Sequence, residues 1–177
     1  MRNLKFHEKK LLKKTNLDDW NSKREQMVTT KYLLHDRNTY IKYNRIVGKI
    51  RKITESIARL DHVDATKSYI TKKLLNKLYD LGLIAEKKLS LCMKVSVSDF
   101  CRRRLPIVIK NKKMVENFTD ADKFVQHGHF KIGDTVVNDC EVLVDKNTEQ
   151  FIKWSEKSKI KKKLDEIHGD LDDFEYI

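Results

Sequence analysis

Tyr43, Ile46, Ile50, Ile53, Ile57 and Leu60 recur at alternating spacings of three and four residues, the period of one face of an α-helix. A seam of this length has to be covered by something apolar. The next periodic stretch, "YITKKLLNKLYDLGLI" (69–84), supplies Leu74, Leu75, Leu78 and Leu81, with Gly82 placed to end a helix. The two helices are expected to pack on each other. Arg45, Lys49, Arg51 and Lys52 lie off the seam, towards water or phosphate.

The flanking stretches are less periodic. "LKFHEKKLLKK" (4–14) predicts a short basic helix with Leu4, Phe6, Leu11 and Leu12 as its apolar residues. Residues 15–36 show no firm period and are expected to form a connector around Trp20. Residues 85–98 are expected to be a loop or short edge leading into Phe100. With no internal repeat, low-complexity tract or Pro/Gly-rich linker, nothing marks an independent second domain of any size.

After Phe100 the pattern changes. Leu105, Val108 and Ile109 give one helical face, and Pro106, the only proline, suits a first turn where its missing N–H costs nothing. "TDADKFVQHG" (119–128) predicts a compact helix. Thr119 is its expected cap, Asp122 stands at the capping-box position, Asp120 favours the positive end of the dipole, and Ala121, Phe124 and Val125 form its buried stripe. Gly128 falls where a left-handed residue ends a helix. "HFKI" and "TVV" around Gly133–Asp134 predict a hairpin. "SKIKKKLDEIHG" carries Ile160, Leu164 and Ile167 at helical spacing and is expected to fold back on the body. Its basic run also fits a weak nuclear-localisation pattern.

Composition narrows the class of protein. The hydrophobic fraction of 40% over 177 residues is enough for a core, in one domain or in a small module with helical additions. No apolar run approaches the ~20 residues of a membrane span, and the charged start lacks the apolar stretch of a signal peptide. These features predict a soluble intracellular protein. Cys92, Cys101 and Cys140 are odd in number and form no CxxC, which speaks against a disulfide framework or structural zinc and for small buried apolar residues.

The charge is 38 basic residues against 26 acidic ones, a net +12. Such an excess attracts polyanions, nucleic acid first and an acidic membrane surface second. "RNTYIKYNRIVGKIRK" (37–52), "CRRRLPIVIKNKK" (101–113) and "KSKIKKK" (157–163) contain no acid. The last residues, "LDEIHGDLDDFEYI", reverse the sign, as an interaction segment or as a shield that folds back.

The candidate sites follow from these runs. His127 and His129 offer two metal ligands where zinc needs three or four, so neither a metal nor a cofactor is expected. No GxSxG, P-loop, GxGxxG or HExxH is present, and no catalytic residue is assigned. With Lys131 the two imidazoles either contact RNA or divide into one exposed and one packed ring. Arg102, Arg103 and Arg104 are expected to fan across a helix N-terminus. Their repulsion from its dipole, roughly a few tenths of a kcal/mol per charge, would be offset by a bound phosphate. Lys110, Lys112 and Lys113 continue that basic character.

"FCRRRLPIVIKNKKM…DADKFVQHGHFKIGDTVVND…LVDKN" resembles the S4-type RNA-binding domain, in which two helices and a short hairpin form a basic RNA-facing surface. "LKFHEKKLLKK", "LLNKLYDLGLI" and "FIKWSEKSKIKKK…DDFEYI" extend the likeness over nearly the whole chain to the S4-domain proteins of the U3 small nucleolar ribonucleoprotein. The small-subunit ribosomal proteins of the same family are the nearest rival, but their Gly- and Arg-rich basic tail is absent here.

The resemblance implies an α+β fold with a helical N-terminal extension (1–98), an S4-type RNA-binding domain (99–146) and a C-terminal helical segment with an acidic tail (147–177). It also implies a non-catalytic nucleolar factor of the small-subunit processome that binds U3 small nucleolar RNA and assists its pairing with pre-ribosomal RNA. A large processome phosphoprotein and other processome proteins are the implied partners, with the chain a monomer inside a ribonucleoprotein. Carried over by position, the RNA surface comprises Arg102, Arg103, Arg104, Lys112, Lys113, His127, His129 and Lys131. A mainly protein-binding scaffold, through the 43–60 seam and the acidic tail, is the alternative.

Overall fold

The computed structural model describes residues 2–14, 23–61 and 64–168. Trp20 and the acidic tail 169–177 lie outside these residues. Helix α1 spans Phe6–Lys14 and α2 spans Lys23–Tyr32. The second of these falls inside the expected connector. It buries only Tyr32, so it carries almost no apolar period to recognise. The apolar residues of α1 are largely exposed, Phe6 at 81%.

Helix α3 (Arg37–Arg59) is the spine of the helical half. Tyr43, Val47, Ile50, Thr54 and Ile57 are buried, whereas Ile46, Ile53 and Leu60 are exposed. The buried face is therefore rotated from the predicted seam towards Val47 and Thr54. Thr54 accepts burial because its hydroxyl donates to the Ile50 carbonyl at 2.8 Å, leaving no unpaired polar group. Helix α4 (Ala65–Asp80) packs on α3 as expected and ends at Gly82, φ +73°, where the Leu83 N–H reaches the Leu78 carbonyl at 3.0 Å. The expected loop at 85–98 is mostly helical. Helices α5 (Leu89–Lys94) and α6 (Val97–Arg102) both lie against α3, each too short for a period to show.

Helix α7 (Leu105–Asn111) joins the two halves. Leu105, Pro106, Ile107, Val108 and Ile109 are all buried. A helix apolar on every side has to sit inside the protein. Ile107 belongs to the core of the helical half, with Tyr43 stacked on Phe100 at 5.6 Å. Leu105, Val108 and Ile109 belong to a second core with Ala121, Val125 and Phe130.

Helix α8 (Phe118–Gln126) starts two residues earlier than expected. Its cap position is Asn117, whose amide donates to Asp120 at 3.1 Å, so Thr119 is not the cap. Asp122 turns inward and accepts hydrogen bonds from His35 Nε2 (2.8 Å) and Gln126 Nε2 (3.0 Å).

Gly128 (φ +73°) and Gly133 (φ +60°) make the predicted corner and hairpin between α8, β1 (Phe130–Ile132) and β2 (Thr135–Val136). After helix α9 (Lys146–Glu149), β3 (Ile152–Trp154) pairs antiparallel with the other edge of β1, giving the order β2-β1-β3. The sheet thus takes a strand from beyond residue 146. Helix α10 (Lys159–His168) forms as expected, with Ile160 and Leu164 half-buried and Ile167 exposed. Only its first part lies against the body. The architecture is α+β, mainly helical with one small antiparallel sheet.

All three cysteines are free and buried. Burial pushes the Cys101 thiol up to about 11 and the Cys140 thiol up to about 12. Both are protonated at neutral pH and behave as small apolar residues.

Candidate nucleic-acid interface

The three consecutive arginines straddle the junction of α6 and α7. Helix α6 begins with a capping box, the Asp99 carboxylate accepting from the Ser96 N–H (2.9 Å) and hydroxyl (2.8 Å). The helix ends at Arg102, Arg103 follows it, and Arg104 is the N-cap of α7. The bend between the helices sends the three side chains to different environments.

Arg102 is exposed and pairs with Asp99 at 2.9 Å. Arg103 donates twice to the Val144 carbonyl (2.9 and 2.7 Å) and pairs with Glu149 at 2.9 Å. It packs so closely over Gly82 that a Cβ there would stand 3.0 Å from its guanidinium. Arg104 is 1% exposed, and its Nη1 donates to the Tyr32 and Leu33 carbonyls at 3.1 and 3.2 Å. The expected phosphate cradle is therefore not formed by this run. Arg104 caps the carbonyl end of α2, where a cation suits the dipole, Arg103 braces the fold, and Arg102 alone faces solvent.

The sheet gathers a different set of cations. Antiparallel register places Val136, Lys131 and Lys153 in one row on one face. Phe130 and Trp154, with ring centroids 4.3 Å apart, and the Ile132–Ile152 pair turn to the other. Two lysines directly opposite repel. Lys131 is partly relieved by Glu156, whose carboxyl it holds below the usual carboxylate range. Lys131, Lys153 and, from α10, Lys161 line a cavity of about 390 Å³ together with Met114, Trp154 and Glu156. Three lysines against one carboxylate leave this lining net positive, which suits a phosphate.

Lys153, Lys161 and Trp154 were not among the sequence-derived residues. The apolar–polar alternation of "FIKWS" is the signal that marks β3 and points Lys153 outward.

Lys112 and Lys113 follow α7 and precede Met114, which lines this cavity. The Lys112 ammonium donates to the Glu149 carbonyl. Lys113 is exposed and left-handed, φ +59°, with Lys113 N–H to the Lys110 carbonyl (2.8 Å) and Met114 N–H to the Ile109 carbonyl (3.3 Å). This helix ending favours glycine, and a lysine there is strained by about 1 kcal/mol. Lys113→Gly is expected to raise unfolding stability by about 0.5–1 kcal/mol in urea melts while weakening RNA binding. A loss of stability would show that the lysine side chain has a structural role instead.

His127 is exposed, whereas His129 is half-buried, its Nδ1 bonded to Ser158 Oγ at 2.9 Å and its ring edge-on to Phe124. Gly128 separates them in a left-handed turn where a Cβ would meet Asn138 Oδ1 at 2.9 Å. Among the described residues no three His, Cys, Asp or Glu side chains converge as metal ligands. Of the expected RNA-contacting residues, Lys131 lines the cavity, while Lys112 and Lys113 immediately precede in the chain Met114, which also lines it. His127 and His129 lie on the corner that leads into β1, and Arg102 does not line the cavity.

A buried helix pair, a short basic sheet and a helical module packed against them define an S4-type protein. Residues 3–102 match the model of the ribosomal protein S4/S9 N-terminal domain. The U3 small nucleolar ribonucleoprotein protein IMP3 of Saccharomyces cerevisiae is 40% identical over 181 residues, covering 99% of both chains. The Homo sapiens protein of that name is 37% identical, covering 99% of this chain and 98% of its own. The small ribosomal subunit protein uS4 of Picrophilus torridus is 27% identical over 136 residues, 76% of this chain and 74% of its own. The chain belongs to the S4 family, in the branch of the U3 small nucleolar ribonucleoprotein protein IMP3.

Proposed function

We propose that this chain is a non-catalytic, RNA-binding component of a U3 small nucleolar ribonucleoprotein, acting in ribosome biogenesis. Whole-chain similarity to proteins of that name supports the assignment. The cavity lined by Lys131, Lys153 and Lys161 beside Trp154 is the observation that carries RNA contact. In the finer reading the protein binds U3 small nucleolar RNA in the nucleolus and promotes its pairing with pre-ribosomal RNA, alongside a large processome phosphoprotein. The RNA surface is then the cavity together with Lys112 and Lys113, with His127, His129 and Arg102 as outlying contacts. Arg103 and Arg104 act from within the fold.

The test is binding of the purified protein to U3 RNA spanning its pairing segments, against a scrambled RNA, over a salt series. Preference for the U3 sequence is expected, with a log–log slope of about −0.7 per phosphate contacted on single strands. Equal affinity for both RNAs that vanishes at moderate salt would remove the specific reading. A scaffold role is favoured by one feature, the exposed row of Ile46, Ile53 and Leu60 on α3. That role predicts retention of protein partners when RNA binding is lost.

A further inference from the structure

A second cavity, of about 340 Å³, lies between α2, α3 and the start of α6. Its polar wall is Arg24 from α2, Tyr40, Asn44 and Arg51 from α3, and Ser96 and Ser98 from α6. Val28, Val47 and Val97 contribute apolar surface to the same lining. The volume is at the small end of ligand cavities, which run from about 300 Å³ upwards. It suits one phosphate with part of its nucleoside and excludes a duplex.

The charge balance of this cavity is positive. Glu25 shares the lining, but Arg37 Nε holds its carboxylate at 2.7 Å. Asp99 is occupied by Ser96 and by Arg102 at 2.9 Å. Among the described residues neither Arg24 nor Arg51 meets a carboxylate. Arg51 is held in place by one hydrogen bond, from Nη2 to the Val95 carbonyl at 3.0 Å. Two guanidinium groups facing one concavity repel each other, and a shared anion removes that repulsion. Their planar forks match phosphate oxygens, and hydroxyl and amide donors complete such a site.

We propose that this cavity binds a single phosphate of an RNA strand, with Arg24 and Arg51 as its clamps and Ser98 and Asn44 as neutral donors. The inference rests on the RNA-binding reading above and adds a contact point on the helical half. A continuing strand is favoured over an isolated phosphoryl group because Arg102 stands one turn along α6 from Ser98. The basic track thus extends beyond the cavity.

The experiment compares the full chain with Arg24→Gln and with Arg24→Gln/Arg51→Gln, using U3 RNA over a salt series and a thermal melt as the folding control. Arg24 is exposed and has no partner among the described residues, so its single variant is expected to leave the fold intact, which the melt checks. The double variant is expected to lose about 0.7 from the salt slope, one phosphate contact on a single strand, and roughly tenfold in affinity. The single variant should fall in between. RNA slopes and affinities equal to wild type in both variants would overturn the cavity while leaving RNA binding by the sheet intact. No RNA affinity in the wild-type protein would overturn both. Unchanged RNA binding with saturable capture of a phosphoserine peptide, lost in the double variant, would overturn the RNA assignment in favour of a phosphoprotein.

Discussion

Arg104→Ala is expected to lower unfolding stability by about 3–5 kcal/mol in urea titrations, from the emptied volume of a large buried side chain together with the loss of its donors to buried carbonyls. The side chain is buried at the meeting of α2 with the α6–α7 junction, where it donates to the Tyr32 and Leu33 carbonyls. Truncation opens a cavity and also strands two carbonyls away from water. Nε and Nη2 of Arg104 have no partner among the described residues, so the residue is not an optimised ion site. Its contribution lies in volume and in closing the end of α2. Arg104→Met separates the two by restoring volume without donors, and a loss of roughly 1–3 kcal/mol is expected from the carbonyls alone. Hydrogen exchange should then show α2 opening while Val125 and Phe130 keep their protection. A loss under 1 kcal/mol for Arg104→Ala would mean that α2 is held by other contacts.

Lys131→Gln/Lys153→Gln is expected to lower RNA affinity roughly tenfold to a hundredfold and to flatten the log–log salt slope by about 1.4, two single-strand phosphate contacts. Stability is expected to hold or rise by a few tenths of a kcal/mol, because the cross-strand repulsion is relieved and the lost Lys131–Glu156 pair is at the surface, where such pairs contribute little. This combination is diagnostic. A residue kept for structure loses stability when removed, whereas these two would lose only a ligand. If affinity and slope match wild type, the sheet face is not the RNA surface.

Local chemistry explains which parts of the molecule were legible beforehand. The helical character of α3 and α4 (though not the buried face of α3), Pro106 in the first turn of α7, the Phe124–Val125 stripe and the Gly128–Gly133 corner each depend on residues within a few positions of one another. Their outcomes could be reached from sequence. Helix α2 hides because its surface is polar, and α5 and α6 because each is shorter than a recognisable period. The cap of α8 falls on Asn117 rather than Thr119, and asparagine is the better of the two residue types at that position. Strand β3 lies inside 147–177, the segment that the resemblance implied to be helical.

The sequence by itself determined a basic chain with its main helices and hairpin, since propensity, periodicity and net charge are properties of neighbouring residues. Its motifs carried the resemblance to the S4 family. Only the tertiary structure decided what each charge does. Three arginines adjacent in the chain became a surface cation, a brace and a buried cap, because the α6–α7 bend and the open carbonyls of α2 claim them differently. Lys131, Lys153 and Lys161, separated in sequence, share one cavity because β1, β3 and α10 converge there. Burial and convergence are set by distant contacts, and the local pattern carries no record of them.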